Sequence, residues 1–499
     1  MWLYRRRQAI AALLGGIAIT LSLAPLHWWP LAFVGPALIF WALDTTDVKT
    51  AFKTGWLSGL GLFGSGCSWV YVSIHYHSDT PAVLAALMTF IFCAGLALLP
   101  ATLAWLYTKT PRATPISPLI FTALWVLFDA IRGVILTGFP WLYAGFAHTN
   151  SPLGALFPLI GASGATAISV LIGSLLSQVV THSKRLWPLV QITVVIVLVA
   201  SAVHTLPVEV SRLGDTPLRV GIAQGNIDQE EKWKPENVRS TLSTYAALTE
   251  SLWGSDIILW PESAITVDYW RAENYLNAMH DIATMERSTL VTGIPYVDPQ
   301  NYKIHNSITA IGLGEGIYHK QKLVPFGEYV PLADTLRGTL AFFDLPMSSF
   351  DRGQPNQLLL RAGDYLLAPF ICYEIAYSEL VREQLRDANF IVTVSNDAWF
   401  GRSWAPWQHQ QIARVRAMET GRYVIRATNN GISAVIADNG DIVASTAQFE
   451  RTTLTSEAWP MTGETPFMRW GSSVLLWMSA SIALIGAIAG RKQAIQVDH

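Results

Sequence analysis

The chain has 499 residues, of which 51% are apolar and only 14% carry a charge. Soluble domains average about 25% charged residues, so this composition excludes an ordinary soluble protein and indicates an integral membrane protein. The net charge of −2, without a basic stripe along the sequence, argues against a nucleic-acid partner.

Hydrophobic stretches of about 20 residues are long enough to cross a bilayer as helices. We predict eight such spans, at residues 8–25, 28–43, 54–74, 82–107, 117–136, 155–180, 187–205 and 470–490. The first two are short and close together, so they could instead form one re-entrant pair. The domain plan is therefore a membrane domain over 1–208, a polar domain over 215–460 and a final helix over 468–490.

Lysine and arginine mark the cytoplasmic ends of membrane spans in short connections. With eight spans, all basic clusters fall on one side: Arg5 to Arg7, Lys49 and Lys53, Lys109 and Arg112, Lys184 and Arg185, and Arg491 and Lys492. Both termini are then expected in the cytoplasm. The polar domain is expected in the periplasm of a bacterium, on the outer face of the inner membrane.

Asp129 and Arg132 are two charged residues inside the fifth predicted span, spaced to share one helix face. They could form a structural pair, or they could belong to a functional site, because charges at membrane depth often do. The stretch Thr137–Leu142 that follows contains Gly and Pro, which break helices, and aromatics typical of the membrane interface. It is either an aromatic anchor or a lipid-contacting loop beside the active site.

The polar domain alternates short apolar runs with helical patterns, which predicts an α/β layered fold. The predicted strands are Leu218–Ala223, Asp256–Trp260, Leu290–Gly293, Ser307–Leu313, Leu366–Ile371, Phe390–Ser395, Tyr423–Thr428 and Ser433–Ala437. The predicted helices are Asn237–Leu252, Trp270–Met285, Ser378–Asp387 and Gln408–Gly421. The Asn439-Gly440 pair between two apolar runs predicts a hairpin turn, so the sheet is expected to be mixed.

Three reactive side chains follow predicted strands of this domain, namely Glu262, Lys320 and Cys372. Taken singly, each has a plain alternative, as a surface carboxylate, a solvated lysine or a buried structural cysteine. Together, a carboxylate, an amine and a thiol can form a covalent acyl-transfer site. A helix starting at Cys372 would favour the thiolate, and the N–H of Tyr373 could then bind an oxyanion.

The sequence around these three residues is similar to the motifs of the nitrilase superfamily. Trp260–Ala264 resembles its glutamate motif, Tyr318–Glu328 its lysine motif and Ile371–Glu374 its nucleophile motif. Such a domain between seven spans and a final one resembles the plan of the apolipoprotein N-acyltransferase family over nearly the whole chain. Gly138–Trp141 and Phe343–Phe350 favour that family over soluble amidases. The resemblance implies a Glu–Lys–Cys triad in a four-layer αββα sandwich.

Six further positions match residues that support the site in the family. They are Trp233, a gating aromatic on a mobile arm; Asn306, in an active-site segment; Glu328, a second carboxylate; Arg337, a basic residue needed for activity; and Tyr373 and Glu374, which position the acyl-enzyme. One position departs from the family pattern, since His148 stands where an amide-bearing residue is expected. This departure concerns the membrane domain and leaves the triad unaffected.

The resemblance implies a ping-pong acyl transfer through a thioester on Cys372, in which Glu262 is the acid and base and Lys320 stabilises the oxyanion. The implied donor is a phospholipid, and the implied acceptor is the N-terminal α-amine of a diacylated apolipoprotein. No metal or organic cofactor is needed. Membrane lipids surround the spans, and membrane anchoring favours a monomer.

Cys67 and Cys93 lie in hydrophobic runs and are expected to be buried, and the three cysteines show no disulfide or zinc spacing. Two other functions remain open at this point. A membrane-anchored amidase or nitrilase would keep the triad and use water as the acceptor. A transporter or sensor would use the outer domain only to bind a ligand, although only Asp129 and Arg132 offer the intramembrane charges that transporters show.

Overall fold

The computed structural model describes residues 2–44, 46–77, 80–182, 184–325, 327–329 and 350–497. The chain divides into two units. The first comprises Met1–Tyr71, Pro81–Val208 and Arg469–His499, and the second comprises Val72–Thr80 and Glu209–Met468. Arg337, together with Phe343–Ser349, lies outside the described residues.

Nine α-helices are described before residue 206, and they are mostly apolar. They are α1 Trp2–Ser22, α2 Leu31–Asp44, α3 Val48–Gly66, α4 Val70–His77, α5 Ala82–Leu96, α6 Leu98–Tyr107, α7 Ser117–Arg132, α8 Phe157–Thr181 and α9 Trp187–Thr205. Small residues let some of them approach closely. A Cβ atom on Gly16 of α1 would lie 2.0 Å from the carbonyl oxygen of Ser58 in α3.

Four described stretches are long and apolar enough to cross a membrane, namely Ala82–Tyr107, Pro152–Thr181, Trp187–Thr205 and Ser473–Lys492. A fifth is possible if α3 and α4, which are bent by 53° at a short break, count as one span. All five coincide with predicted spans. The helices α1, α2 and α7 overlap the other three predicted spans, but the total of eight stays a prediction.

Asp129 and Arg132 form an ion pair of 2.7 Å at the end of α7. The Arg132 guanidinium also donates hydrogen bonds to the carbonyl oxygens of Phe139 and Trp141, and it lies 4.6 Å from the ring centroid of Tyr143. The Tyr143 hydroxyl donates to the backbone oxygen of Asp129 at 3.2 Å. These contacts support the structural interpretation, because the pair holds the loop that follows α7.

The described residues of the second unit form fifteen strands, labelled β1 to β15 in chain order. They are β1 Glu209–Arg212, β2 Leu218–Gln224, β3 Ile257–Leu259, β4 Thr289–Val297, β5 Ile304–Gly312, β6 Gly314–Glu315, β7 Ile317–His319, β8 Leu360–Ala362, β9 Tyr365–Ile371, β10 Phe390–Ser395, β11 Tyr423–Thr428, β12 Ala434–Ile436, β13 Ile442–Ser445, β14 Thr452–Ala458 and β15 Met461–Glu464. Among the described residues, the α-helices after α9 are α10 Gln229–Lys232, α11 Val238–Thr249, α12 Glu273–Met285, α13 Ser378–Gln384, α14 Ala405–Thr420, α15 Pro466–Trp470 and α16 Ser473–Val497.

Two large mixed sheets form the centre of this unit. One has the strand order β14-β2-β3-β4-β5-β7 and the other β13-β12-β11-β10-β9-β8-β6. In each sheet, three central strands are parallel and the outer ones are antiparallel. The mixed sheet predicted from the Asn439-Gly440 turn is therefore confirmed.

The two sheets pack face to face through one apolar core, to which β2, β3, β9 and β10 all contribute. A second core joins the outer face of the six-stranded sheet to α11 and α12, with Tyr245 and Leu276 among its buried residues. On the other side, α13 lies against β9 and α14 against β11. This arrangement is a four-layer αββα sandwich, and the carboxyl ends of its parallel strands position the site.

Candidate active site

Glu262, Lys320 and Cys372 each follow the end of a strand. Glu262 comes shortly after β3, in a turn where Ser263 has a positive φ of 48°. Cys372 comes directly after β9 and has a φ of 52°, which is unusual for a residue with a side chain. Lys320 follows β7, a strand missing from the sequence prediction, and its N–H donates to the carbonyl oxygen of Asn306 at 2.8 Å.

Lys320 lies between two carboxylates. Its ammonium is 2.8 Å from Oε1 of Glu328 and 3.5 Å from Oε1 of Glu262. The amide of Asn306 donates to the same two oxygens, at 2.7 Å to Glu262 and 2.9 Å to Glu328. The second oxygen of Glu262 accepts the backbone N–H of Asn396 at 2.9 Å. Both oxygens of the Glu262 carboxylate are therefore fixed.

The charge of Lys320 is stable in this environment. Burial lowers the pKa of its ammonium, but the carboxylates of Glu328 and Glu262 outweigh burial and hold the pKa above its ordinary value. Lys320 therefore stays protonated at neutral pH and cannot act as a base. Its ammonium can instead stabilise negative charge that develops on a bound substrate.

Cys372 is a free, partly buried thiol, and the charges of Glu262 and Lys320 both act on it. Burial, and next the negative charge of Glu262, raise the pKa of Cys372 to about 12, although Lys320 acts in the opposite direction. The expectation that the turn after Cys372 favours the thiolate is therefore wrong for the resting protein, because the thiol is buried next to a carboxylate. Attack by this sulfur on a substrate would require a base to take its proton, and the carboxylate of Glu262 is a candidate.

Glu374 joins the nucleophile turn to the lysine segment. Its fully buried carboxylate accepts hydrogen bonds from the backbone N–H groups of Ile371, Gln321 and Lys322 at 2.9, 2.7 and 3.0 Å. It also accepts one from the hydroxyl of Tyr318 at 3.0 Å. Burial raises the pKa of Glu374 to about 7, against the effect of these N–H donors. Its contacts support a scaffold role, because its carboxylate oxygens bind residues on both sides of the site.

Tyr373 lies beside the nucleophile, and its ring packs edge-on against Tyr377 with a centroid distance of 5.2 Å. Trp233 follows α10 and is half-buried. Its indole N–H is buried and has no hydrogen-bond partner within the described ranges. Thus Asn306 contacts Glu262, and Glu328 contacts Lys320, whereas Tyr373, Glu374 and Trp233 lie on neighbouring segments.

A second buried cluster lies behind Cys372, and the sequence analysis missed it. The Nε2 atom of His409 is 3.0 Å from the carbonyl oxygen of Cys372, and its Nδ1 atom is 3.1 Å from Asp397. Arg426 donates to Asp397 at 2.8 Å. The hydroxyl of Ser395 lies 2.6 Å from Asp397 and 3.4 Å from the sulfur of Cys372.

Burial and the neighbouring charges shift the pKa values of His409 and Asp397 in this cluster. Burial and the positive charge of Arg426 lower the pKa of His409, while the carboxylate of Asp397 opposes this shift. The Nε2 atom of His409 donates to the carbonyl oxygen of Cys372. Burial raises the pKa of Asp397, but Arg426 and His409 outweigh burial and hold the pKa well below its ordinary value. Asp397 could have been selected from sequence, because it comes just after the predicted strand Phe390–Ser395 and the three reactive residues also follow strands.

The sequence matches family models over both units. The model of the apolipoprotein N-acyltransferase N-terminal domain matches residues 15–175, and the carbon-nitrogen hydrolase model matches residues 219–465. Among solved structures, Saccharomyces cerevisiae Nit3, a member of branch 10 of the nitrilase superfamily, is 16% identical with a TM-score of 0.39. That alignment covers 50% of this chain and 93% of Nit3.

Full-length relatives are more similar. The apolipoprotein N-acyltransferase of Pseudomonas syringae pv. tomato is 42% identical, over 95% of this chain and 95% of the relative. The apolipoprotein N-acyltransferase of Coxiella burnetii is 38% identical, over 93% of this chain and 96% of the relative. Since identity of this extent spans both units, the chain belongs to the apolipoprotein N-acyltransferase family.

Proposed function

We propose that the protein transfers a fatty acyl chain from a phospholipid to the N-terminal α-amine of diacylglyceryl-cysteine in apolipoproteins. The chain is carried as a thioester on Cys372. The observation that supports this most directly is the grouping of a thiol, a fixed carboxylate and a permanently charged ammonium at the ends of β9, β3 and β7. These are the groups that a covalent acyl transfer needs.

In the first step, Glu262 takes the thiol proton of Cys372, and the sulfur attacks an ester carbonyl of the phospholipid. The carbonyl oxygen becomes negatively charged, and Lys320 and the backbone N–H of Tyr373 stabilise that charge. The C–O bond of the ester then breaks, and Glu262 returns the proton to the departing glycerol oxygen. A lysophospholipid leaves, and the acyl group remains on sulfur.

In the second step, the neutral α-amine of the apolipoprotein attacks the thioester carbonyl. Glu262 takes a proton from the attacking nitrogen, an amide bond forms and the C–S bond breaks. The proton passes from Glu262 to the released sulfur, which restores the resting thiol of Cys372. Neither step requires a group other than this chain and its two substrates.

The membrane location follows from the substrates, because each acyl CH₂ costs about 0.8 kcal/mol to expose to water. We place the catalytic unit on the periplasmic face of the inner membrane, with both termini cytoplasmic and the protein a monomer. The grouping of Val72–Thr80 with the catalytic unit supports this topology. Within Val72–Thr80, the hydroxyl of Ser73 donates to the carbonyl oxygen of Trp399 at 2.8 Å. The Nε2 atom of His77 lies 3.0 Å from the carbonyl oxygen of Ala398. The predicted spans put this connection and the catalytic unit on the same side.

A membrane-anchored amidase is the alternative, since it would use the same triad with water as the acceptor. Intact-protein mass separates the two after incubation with phosphatidylethanolamine. We expect the wild-type protein to gain one fatty acyl group and to lose it only when a diacylated lipopeptide is added. The Cys372→Ala variant should gain none. The proposal would be contradicted if water removed the acyl group as fast as the lipopeptide does, or if the Cys372→Ala variant became acylated.

A further inference from the structure

Lys232 is a buried cation that the two-step transfer above does not use. Its side chain is only 1% exposed, and its ammonium donates to the backbone carbonyl oxygen of Glu262 at 2.9 Å. Lysine is almost never fully buried unless its charge is paired, because an ammonium loses its hydration there. Lys234, two residues later, is exposed and pairs with Glu231 on the surface. A specific interaction must therefore offset the burial of Lys232.

The short helix that carries Lys232 reaches Glu262 by a second route. Gln229, at the start of α10, accepts the side-chain N–H of Asn396 at 2.6 Å. The backbone N–H of that same Asn396 donates to the carboxylate of Glu262 at 2.9 Å. One end of α10 is thus connected to the carboxylate of Glu262 and the other end to its main chain.

The turn around Glu262 needs such support. It follows a strand of three residues, and the next residue, Ser263, has a positive φ of 48°. Left-handed backbone at a residue with a side chain persists only where its surroundings hold it. Burial lowers the pKa of Lys232 to about 8, while the charge of Glu262 opposes this shift. At neutral pH the ammonium therefore remains mostly charged and remains bonded to this turn.

We propose that Lys232 is a positioning residue for the acyl transfer. Its ammonium fixes the turn that aims the Glu262 carboxylate, and it connects that turn to the segment carrying Trp233. The inference deepens the proposed function and rests on it. Because Glu262 moves a proton in both steps, removal of Lys232 slows acylation of Cys372 and transfer from it alike, with little change in the lipid concentration that half-saturates the reaction.

The test compares Lys232→Met with Lys234→Met in the full-length protein. Methionine fills a similar volume without a charge or a donor, and Lys234 is the matched exposed lysine of the same segment. Single-turnover acylation by phosphatidylethanolamine is followed by intact-protein mass over a range of lipid concentrations, and transfer to a diacylated lipopeptide is measured next. Misplacement of a catalytic group by about 1 Å can cost 100-fold in rate. We expect at least a tenfold lower maximal rate in both steps for Lys232→Met, and wild-type rates for Lys234→Met.

Melting temperature separates positioning from folding. Lys232→Met removes a buried charge but leaves the carbonyl oxygen of Glu262 without its donor. These two effects oppose each other, so the variant should stay folded at the assay temperature, with a melting temperature close to that of the wild type, while reacting more slowly. If Lys232→Met fails to fold, Lys232→Arg and Lys232→Gln are compared instead. Lys232→Arg retains a cation and hydrogen-bond donors, so it should retain more activity than Lys232→Gln. A folded Lys232→Met protein with wild-type maximal rates would overturn the inference. Absence of any acyl group on the wild-type protein would instead refute the proposed function itself.

Discussion

Lys320 and Glu328 form a buried ion pair of 2.8 Å, which is shorter than the 3.5 Å contact between Lys320 and Glu262. The charge of the ammonium is thus balanced mainly by a carboxylate that has no proton to transfer in the proposed reaction. Glu328 also accepts the backbone N–H of Val324 at 2.9 Å, which fixes its own position. This division of roles leaves Glu262 available to exchange protons with the thiol and the amine.

Replacement of Glu328 by Gln should therefore damage both activity and stability. Without the Glu328 carboxylate, the ammonium of Lys320 would draw Glu262 into an ion pair and impair its action as a base. Removing one partner of a buried pair costs about 3–5 kcal/mol. We expect a lower melting temperature and an acylation rate reduced by roughly two orders of magnitude, about 2.7 kcal/mol of barrier. Thermal unfolding and single-turnover acylation measure the two effects.

Glu315→Gln is the matched control for that variant. Glu315 pairs with Arg361 at 3.5 Å, but both side chains are more than half exposed. Exposed pairs contribute about 0–1 kcal/mol, so this substitution should leave stability and acylation near wild-type values. Equal effects of the two substitutions would show that the buried pair has no special role.

The Cys372 thiol gives a prediction in which reactivity and turnover change in opposite directions. Burial and then Glu262 raise its pKa to about 12, so its thiolate fraction should still be rising at pH 10. Glu262→Gln removes the nearby negative charge and lowers the thiol pKa. At pH 9, this variant should therefore react faster with iodoacetamide than the wild type, although it forms no thioester with phospholipid.

The alkylation is measured in a background in which the buried Cys67 and Cys93 are replaced by Ala. Intact-protein mass then reports one site. A slower reaction of Glu262→Gln at pH 9 would mean that Glu262 does not hold the thiol in its neutral form. A plateau in the wild-type alkylation rate below pH 10 would likewise contradict the raised pKa.

The central part of the catalytic fold could be predicted from sequence. The buried strands β2, β9, β10 and β11 are mostly apolar, and the prediction located each within one residue of its ends. The strands that were missed, such as β7, β13 and β14, are short or mostly polar. They lie at or near sheet edges, where one side is exposed and the apolar pattern is weak.

Glu262, Lys320 and Cys372 could be selected from sequence because the motif around each of them is local. The supporting contacts could not, because they join residues distant in sequence. Lys232 donates to the backbone carbonyl oxygen of Glu262, and His409 to that of Cys372. Every residue has such an oxygen, so the sequence near Glu262 and Cys372 does not indicate these partners. The raised pKa of the Cys372 thiol could not be predicted for the same reason. The turn after it suggested a positive potential, whereas its actual neighbours include Glu262 and Asp397.

Glu374 predicts a pH dependence of stability. Burial raises its pKa from 4.5 to about 7, so in this interval the folded protein retains a proton that the unfolded chain has lost. The stability from this proton is full below about pH 4.5 and is lost as the pH rises through 7. Melting temperatures between pH 4 and 8 should fall across this window in the wild type.

Glu374→Gln should abolish that part of the pH dependence. It should also lower stability at all pH values, because an amide has only one acceptor oxygen for the four donors that the carboxylate serves. Each unsatisfied buried donor costs about 1–3 kcal/mol. Glu379→Gln, on the partly exposed face of α13, is the control and should keep the wild-type pH profile. An unchanged profile in Glu374→Gln would assign the dependence to another group.

A substitution at Ser395 tests whether the cluster behind Cys372 changes the pKa of its thiol. The hydroxyl of Ser395 lies 3.4 Å from Sγ of Cys372, and this contact lowers the pKa of the thiol. Ser395→Ala should therefore raise that pKa and slow acylation by about three- to tenfold, the effect of one hydrogen bond of about 1 kcal/mol. Thr393→Val is the control, because Thr393 lies on the same face of β10 and its buried hydroxyl has no hydrogen-bond partner in the described part of the chain. Alkylation at pH 9 should slow in Ser395→Ala and not in Thr393→Val; equal rates in both variants would mean that the hydroxyl of Ser395 serves only to hold Asp397.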